Sequence, residues 1–249
     1  MIPVTHDALT DLAPDGRLRA AINYGNPILA SKDPITHQPS GVSVDLARAL
    51  AEQLGMPLDL VTYDAAGKVV DGLRQDEWDV AFIARDPARG KDIEQTFPYI
   101  VIEGAYLVRE DSPITSNDAV DLAGNTVVVG KGSAYDLFLT RTIANATIVR
   151  SPTSPGVVDM MLANGYEVAA GVKQQLEHDA ERVPGLRLLD VRFMVIEQAM
   201  GTPKGRPAGA HFVSVFLRSM IESGFVARAI ERHGVKGALV APLSVETRQ

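Results

Sequence analysis

Residues 41–63 read GVSVDLARALAEQLGMPLDLVTY and contain the clearest signals of secondary structure in the sequence. Apolar residues recur every three or four positions in its first half, which predicts a helix over Ser43–Leu54. Gly55-Met56-Pro57 follows and ends that helix. Leu58–Tyr63 is then predicted as a strand. A helix that leads directly into a strand is the unit from which α/β folds are built.

The same alternation continues on both sides of that stretch. A strand at Leu18–Asn23 precedes it, and a helix near Lys68–Arg74 and a strand at Val80–Ile83 follow it. This βαβαβ order predicts a mainly parallel sheet with helices on both of its faces.

A second α/β unit is predicted further along the chain. Its elements, in order, are strand Thr126–Val129, helix Ala134–Thr142, strand Ala146–Val149, helix Gly156–Asn164, strand Glu167–Gly171, helix Gln174–Arg182 and strand Leu186–Leu189. Helices at His211–Glu222 and Gly224–His233 come last, and we expect them to pack back on the first unit.

Two long extended runs connect the units. They are Phe97–Val108 and Met194–Thr202, and each is mainly apolar with a glutamate near its middle. We expect both runs to be interrupted there, at Glu103-Gly104 and at Glu197-Gln198, and to act as hinges.

The sequence therefore predicts an α/β fold with two lobes, each a mainly parallel sheet with flanking helices. Residues 1–103 and 198–249 form the first lobe, residues 104–197 form the second, and two hinge strands join them. Two lobes joined in this way leave a cleft between them, and small-molecule sites favour such places.

The composition excludes several classes of function. The chain has 249 residues, a formal net charge of −7 and no block of Lys and Arg, so nucleic acid is not an expected partner. It has no cysteine, and its five histidines are scattered without ligand spacing, so neither a metal site nor a cofactor is predicted. No apolar run reaches the length of about eighteen residues that a membrane span needs, so no membrane insertion is expected.

The amino terminus, MIPVTHDALTDLAPDGRL, has neither the basic nor the apolar region of a secretory signal. It predicts a cytoplasmic protein. The alternative is a periplasmic protein from which a signal has been removed.

Residues 130–139, GKGSAYDLFL, follow a predicted strand and raise the question of a nucleotide site. The spacing is not that of a phosphate-binding loop, because five residues separate Gly124 from Gly130 and Lys131 is followed by a glycine. Ser133 is instead a good N-cap, and the free N–H groups of the helix behind it attract an anion. The alternative is a capped helix that binds nothing.

Several stretches share their order and spacing with one known family. They are GRLRAAINYGNP at 16–27, GVSVDLARALAEQLG at 41–55, DVAFIARDPARGKDIEQTFPY at 79–99 and, in the second unit, GKGSAYDLFL and ANGYEVAAGV. Over nearly the whole chain the sequence resembles the bacterial extracellular solute-binding proteins of family 3, the polar amino-acid binders of ABC importers. The resemblance implies a two-lobed type II periplasmic-binding-protein fold that closes on its ligand by hinge bending. It also implies a small carboxylate ligand, either an amino acid or an organic acid, a monomeric state and an ABC transporter permease as a partner.

The resemblance assigns ligand-binding residues as well. Arg89 stands ten residues before Tyr99, as the carboxylate-binding arginine of the family does. Its guanidinium can engage a carboxylate through two parallel hydrogen bonds, which a lysine cannot do. Ser133 and the amides of Gly132 and Ala134 match the helix start that contacts the same carboxylate. Without the resemblance, Arg89 would be interpreted as a solvated residue of a turn.

Two departures from the family bear on the ligand class. Lys173 stands where amino-acid binders carry the aspartate that pairs with the ligand ammonium, and a lysine inside the cleft repels an ammonium and favours a dianion. Asp86 stands where a threonine is common. Either Lys173 enters the cleft, or it points to water and the acidic role passes to Glu103, Glu197 or Asp86. The predicted ligand-binding set is completed by Asn26, Phe82, Ala84, Glu103 and Gln198.

Two functions are open on this fold. The first is a binding protein that captures a small carboxylate without performing chemistry, for ABC-type uptake or as a stand-alone sensor. The second is an enzyme similar to the cyclohexadienyl dehydratases, which share the fold, with Glu103 or Glu197 as its acid or base. Nothing in the sequence marks either glutamate as catalytic, and a fold alone does not assign a function. The binding protein is therefore the leading hypothesis.

Overall fold

The computed structural model describes residues 2–243, which form twelve strands, eight helices and two short 3₁₀ turns. The strands are β1 (Leu18–Asn23), β2 (Ser31–Lys32), β3 (Pro39–Ser40), β4 (Leu58–Tyr63), β5 (Val80–Ala84), β6 (Ile93–Arg109), β7 (Thr126–Gly130), β8 (Thr147–Ser151), β9 (Val168–Val172), β10 (Leu186–Leu188), β11 (Met194–Pro203) and β12 (Leu239–Val240). The helices are α1 (His6–Leu12), α2 (Val42–Leu54), α3 (Ala66–Arg74), α4 (Ala134–Thr142), α5 (Val157–Asn164), α6 (Lys173–Arg182), α7 (Pro207–Glu222) and α8 (Phe225–Arg232). The 3₁₀ turns are Arg89–Lys91 and Asn117–Ala119.

The main sheet has the strand order β4-β1-β5-β11-β6-β9-β7-β8, with β10 and β12 also paired to β6. Strand β1 is parallel to β4 and β5 at one end of the sheet, and β7 is parallel to β8 and β9 at the other. Strands β6 and β11 run antiparallel to their neighbours and join the two parallel groups. The predicted α/β class, with two parallel units and two connecting strands, is confirmed.

The unit α2–β4 shows why the chain folds in this way. The apolar face of α2 is buried, and Gly55 ends the helix in the left-handed conformation with φ +67°. A glycine adopts that conformation without the steric cost that a side chain brings. The chain then enters β4, whose Leu58 pairs with Leu18 at the start of β1.

One of the two connecting strands is not interrupted at the expected place. The predicted break at Glu103-Gly104 is wrong, because both residues lie inside β6, a continuous strand that pairs there with β11. Close packing requires a glycine at position 104, since a Cβ there would lie 2.7 Å from the Met194 side chain. The irregular positions are in β11, where the register shifts on both sides of Ala199.

The last elements of the described chain return to the first lobe. Helix α7 packs against α1 and against β6 and β11, and α8 packs against α2, as expected. The lobe boundaries at residues 103/104 and 197/198 stay a prediction, because β6 and β11 run through both lobes. No helix within residues 2–243 has both the length and the hydropathy that a membrane crossing requires.

Candidate functional site

A small cavity lies between the lobes, at the carboxyl ends of the parallel strands. The strand ends that reach its wall are those of β1, β5 and β9, in agreement with the general position of ligand sites in such sheets. Its polar wall residues are Asn23, Asn26, Arg89, Ser133, Tyr135, Ser154 and Gln198. Its remaining wall residues are Gly25, Ala66, Ala84, Ala134, Val172 and Ile196.

The lobes are closed over this cavity. Its volume is about 30 Å³, whereas sites for small organic molecules usually measure about 300–1,000 Å³. Across the cleft, a Cβ on Gly132 would lie only 2.7 Å from the Cα of Gly67, so the two backbones are in direct contact. A ligand of amino-acid size therefore needs the lobes to move apart before it can enter.

Arg89 is a buried cation in the wall of the cavity. Its Nη1 donates to the carbonyl of Ala84 at 2.7 Å, and its Nη2 donates across the cleft to the carbonyl of Gly132 at 2.7 Å. Its Nε has no hydrogen-bond partner among the described residues. Burial lowers the pKa of Arg89 to about 10, with the Asp86 charge acting in the opposite direction. The guanidinium is therefore charged at neutral pH, and only two of its five N–H donors are used in these bonds.

The start of α4 forms the opposite wall. Ser133 caps the helix, since its Oγ accepts from the N–H of Asp136 at 3.0 Å. The N–H of Gly132, an expected anion donor, is already bound to Asp136 Oδ2 at 2.8 Å, and Arg150 neutralises that carboxylate. The predicted anion site at this helix start is therefore smaller than expected, and its remaining backbone donor is the N–H of Ala134, which donates to no described residue.

The hydroxyl of Tyr135 adds a neutral donor beside Ser133. Burial raises the pKa of Tyr135, and hydrogen bonds with Ser154 and Ser133 act in the opposite direction. The phenol is therefore protonated at neutral pH.

Asn26 and Gln198 complete the polar wall. Asn26 follows β1, and its buried Oδ1 has no hydrogen-bond partner among the described residues. Gln198 lies on β11 and is also buried. Phe82, by contrast, packs edge to face against Tyr99 with ring centroids 6.4 Å apart and lies outside the wall of the cavity.

Asp86 is paired across the cleft. It follows β5 in the first lobe and accepts two hydrogen bonds from Arg141 of α4, at 2.8 and 3.3 Å. The Asp86 side chain is 4% exposed and that of Arg141 is 44% exposed. This ion pair joins residues of the two lobes and neutralises the Asp86 carboxylate.

Lys173 lies outside the cavity wall, in an ion pair. Its Nζ is 3.3 Å from Glu103 Oε2, and Arg192 binds the other oxygen of Glu103 at 2.7 Å. Arg192 holds the pKa of Glu103 below its usual value; burial acts in the opposite direction, and Lys173 adds to the lowering. Val172, the residue before Lys173, lines the cavity at this corner.

The structure thus brings six of the predicted residues to the cavity wall, namely Asn26, Ala84, Arg89, Ser133, Ala134 and Gln198. It places Gly132 at the cleft through its carbonyl, and it places Phe82, Asp86, Glu103 and Lys173 outside the wall. Sequence reasoning missed Asn23, Tyr135, Ser154 and Val172. Asn23 and Val172 are the last residues of parallel strands, and that position was a usable signal for both.

A larger groove, of about 810 Å³, lies outside the cleft beside α7. Its charged groups already have partners, since Arg85 pairs with Glu197 at 2.9 Å and Arg218 lies over the Phe97 ring. The smaller cavity is the better candidate site, because strand ends of both lobes reach its wall and because two of its wall residues, Asn26 and Arg89, have buried polar atoms without partners. Within residues 2–243, no three His, Cys, Asp or Glu side chains come together as metal ligands would.

Two solved structures illustrate the likeness of this chain to known proteins. An L-cysteine solute receptor of Neisseria gonorrhoeae is 19% identical, with a TM-score of 0.79 over 94% of this chain and 95% of that one. An ancestral amino acid-binding protein, a precursor of cyclohexadienyl dehydratase, is 20% identical, with a TM-score of 0.75 over 90% of this chain and 98% of that one. Identities this low show the shared fold alone.

Sequence comparison adds two findings. A membrane-bound lytic murein transglycosylase F of Shewanella is 31% identical over 96 residues, which are 38% of this chain and only 20% of that protein. The second match is to the family of bacterial extracellular solute-binding proteins, family 3, over residues 18–236. Because this match extends through both lobes, the chain belongs to the bacterial extracellular solute-binding proteins of family 3.

Proposed function

We propose that the protein captures a small carboxylate in the cavity between its lobes and closes over it by hinge bending. The observation that carries this proposal is Arg89, a buried cation with an unpartnered Nε in the cavity wall. A buried charge without a counter-ion is costly, and a ligand carboxylate would supply the missing charge and acceptor. The proposed role is capture for ABC-type uptake or for sensing, by a monomer that works with a permease in the first case.

Closure is part of the proposal because Arg89 spans the cleft. Its Nη2 binds the Gly132 carbonyl of the second lobe while the rest of the residue belongs to the first. A carboxylate on Arg89 would therefore lie against both lobes and stabilise their closed arrangement.

The test is the replacement of Arg89 by lysine. A thermal-shift screen over small carboxylates identifies ligands, and calorimetry then measures the affinity of each hit. Arg89→Lys is expected to weaken binding by about 1.5–3 kcal/mol, because a lysine cannot form the paired, charge-assisted hydrogen bonds. The matched control is Arg85→Lys, since Arg85 is exposed, pairs with Glu197 and lies outside the cavity. Equal affinity in the wild type and in Arg89→Lys would refute the proposal.

We further propose that the protein performs no chemistry on its ligand. Support comes from the two glutamates considered as an acid or a base. Glu103 is bound to Lys173 and Arg192, and Glu197 is bound to Arg85 in the outer groove. Formation of product from prephenate or arogenate by the purified protein would contradict this.

A further inference from the structure

The cavity wall has a positive charge and no negative charge to balance it among the described residues. This imbalance indicates which kind of carboxylate the protein binds. Arg89 is the one charged side chain in the wall that residues 2–243 form. The remaining polar groups of the wall are neutral amides and hydroxyls. No carboxylate of the described chain lies in the wall to receive a ligand ammonium.

The carboxylates nearest to the cleft are each already neutralised. Asp86 binds Arg141 through both oxygens, and Asp136 binds Arg150 and a backbone N–H. Glu103 binds two cations. None of these groups can turn to a ligand without leaving an arginine or a lysine unpaired.

The corner beside Glu103 is apolar on the cavity side. Val172 lines the wall there, at the last position of β9, and Lys173 turns away to Glu103. An ammonium at this corner would meet a valine methyl group and would lose its water without gaining a counter-charge, which is unfavourable in a buried site.

The unpartnered acceptor in the wall suits a neutral group. Asn26 Oδ1 is buried and receives no hydrogen bond from the described residues. A ligand hydroxyl satisfies it with one O–H and brings no charge, whereas an ammonium would add a second cation next to Arg89. The small apolar wall residues, among them Ala66 and Ile196, fit a short aliphatic body.

On the basis of the proposed function, we infer that the ligand is a small carboxylate without an ammonium group, of the 2-hydroxy acid class. Its carboxylate binds Arg89, its hydroxyl donates to Asn26 Oδ1, and its aliphatic part lies against Val172. Amino acids of the same carbon skeleton bind more weakly.

Calorimetry on pairs of acids that differ at one substituent tests the inference. The pairs are L-lactate and L-alanine, 2-hydroxyisovalerate and L-valine, and 2-hydroxyglutarate and L-glutamate, with pyruvate as a control that lacks the O–H donor. In every pair of which a member binds, the hydroxy acid is expected to bind about tenfold or more tightly than the amino acid. An amino acid that binds as tightly as its hydroxy partner, and loses affinity in Arg89→Lys, would overturn the inference and leave the proposed function intact. If no acid of either class binds, both fail.

Substitutions at Val172 provide a second test of the inference. Val172→Asp places a carboxylate in the wall and should move the affinity ratio of each binding pair toward the amino acid by about tenfold or more. Val172→Asn, which has the same shape without the charge, is the matched control and should leave that ratio near the wild-type value. Circular dichroism verifies that both variants fold. An unchanged ratio in folded Val172→Asp would also overturn the inference.

Discussion

The ion pair between Asp86 and Arg141 is expected to hold the lobes closed in the absence of ligand. Replacing Arg141 by glutamine leaves the Asp86 carboxylate buried in the closed arrangement with the N–H of Ala88 as its remaining partner at 2.8 Å. When the lobes open, water can solvate that carboxylate. The variant therefore raises the free energy of the closed arrangement relative to the open one.

The magnitude follows from the burial of the two partners. Hydrogen bonds to a charged group contribute about 1.5–3 kcal/mol when they are shielded from water. Asp86 is shielded, with 4% of its side chain exposed, but 44% of the Arg141 side chain is exposed to the solvent. Screening therefore reduces the contribution to about 1 kcal/mol. This corresponds to a change of roughly fivefold in the ratio of closed to open molecules.

The absence of cysteine makes the measurement direct. Glu52→Cys in α2 and Ala163→Cys in α5 are exposed positions in different lobes, and spin labels on them report the distance between the lobes. Arg141→Gln is expected to raise the population at long distances by roughly fivefold at low salt, with a smaller effect at high salt. Arg182→Gln breaks an ion pair between α6 and α5 inside the second lobe and serves as the control. Identical distance distributions in the wild type and in Arg141→Gln would show that the pair does not hold the lobes together.

Two further predictions concern the cleft and the Glu103 cluster. Gly132→Ala should lower the free energy of unfolding by about 1–2 kcal/mol through its left-handed backbone and should also open the lobes, because its Cβ would contact Gly67. Gly165→Ala is the control, because Gly165 has the same φ of +71° as Gly132 but open space around it. The spin-label distances between the lobes should therefore change in Gly132→Ala and not in Gly165→Ala. The pKa of Glu103 is lower in the folded protein than its ordinary value of 4.5. The ion pairs of Glu103 therefore stabilise the fold fully above about pH 4.5, and this stabilisation is lost as the pH falls through the folded-state pKa. Urea titrations of the wild type and of Glu103→Gln over a pH series should therefore converge in acid, and a difference that stays constant with pH would contradict this.

Most of the fold could be predicted from residue patterns, because strong local signals mark its elements. β1, β4 and α4 begin and end at the predicted residues, where glycines, a proline and the Ser133 cap punctuate the chain. The short strands β2, β3 and β12 were not predicted, since two residues carry no periodicity. The break expected at Gly104 was wrong because the glycine serves tight packing between strands, a requirement that only the three-dimensional arrangement reveals.

The candidate site was less predictable, for two physical reasons. Where a strand passes into a helix, neighbouring side chains point in different directions. A shift of one residue therefore decides whether Val172 or Lys173 faces the cavity, and β9 ends at Val172 while α6 begins at Lys173. The charges of the site are also set by partners that are distant in the chain. Arg141 lies 55 positions from Asp86, and Arg192 lies 89 positions from Glu103. No local pattern shows that these carboxylates are already neutralised.

The position of Gln198 connects ligand contact with lobe movement. Gln198 lines the cavity, and the register between β11 and β6 shifts immediately after it. An irregular position of this kind lets a strand bend and twist where regular pairing would keep it straight. The irregular pairing thus lies beside the cavity, next to the expected hinge at Glu197-Gln198 and not at the expected hinge at Glu103-Gly104 in β6. A ligand that touches Gln198 contacts the segment that must change shape on closure. It can therefore favour the closed arrangement only to the extent that it binds that shape more tightly than the open one.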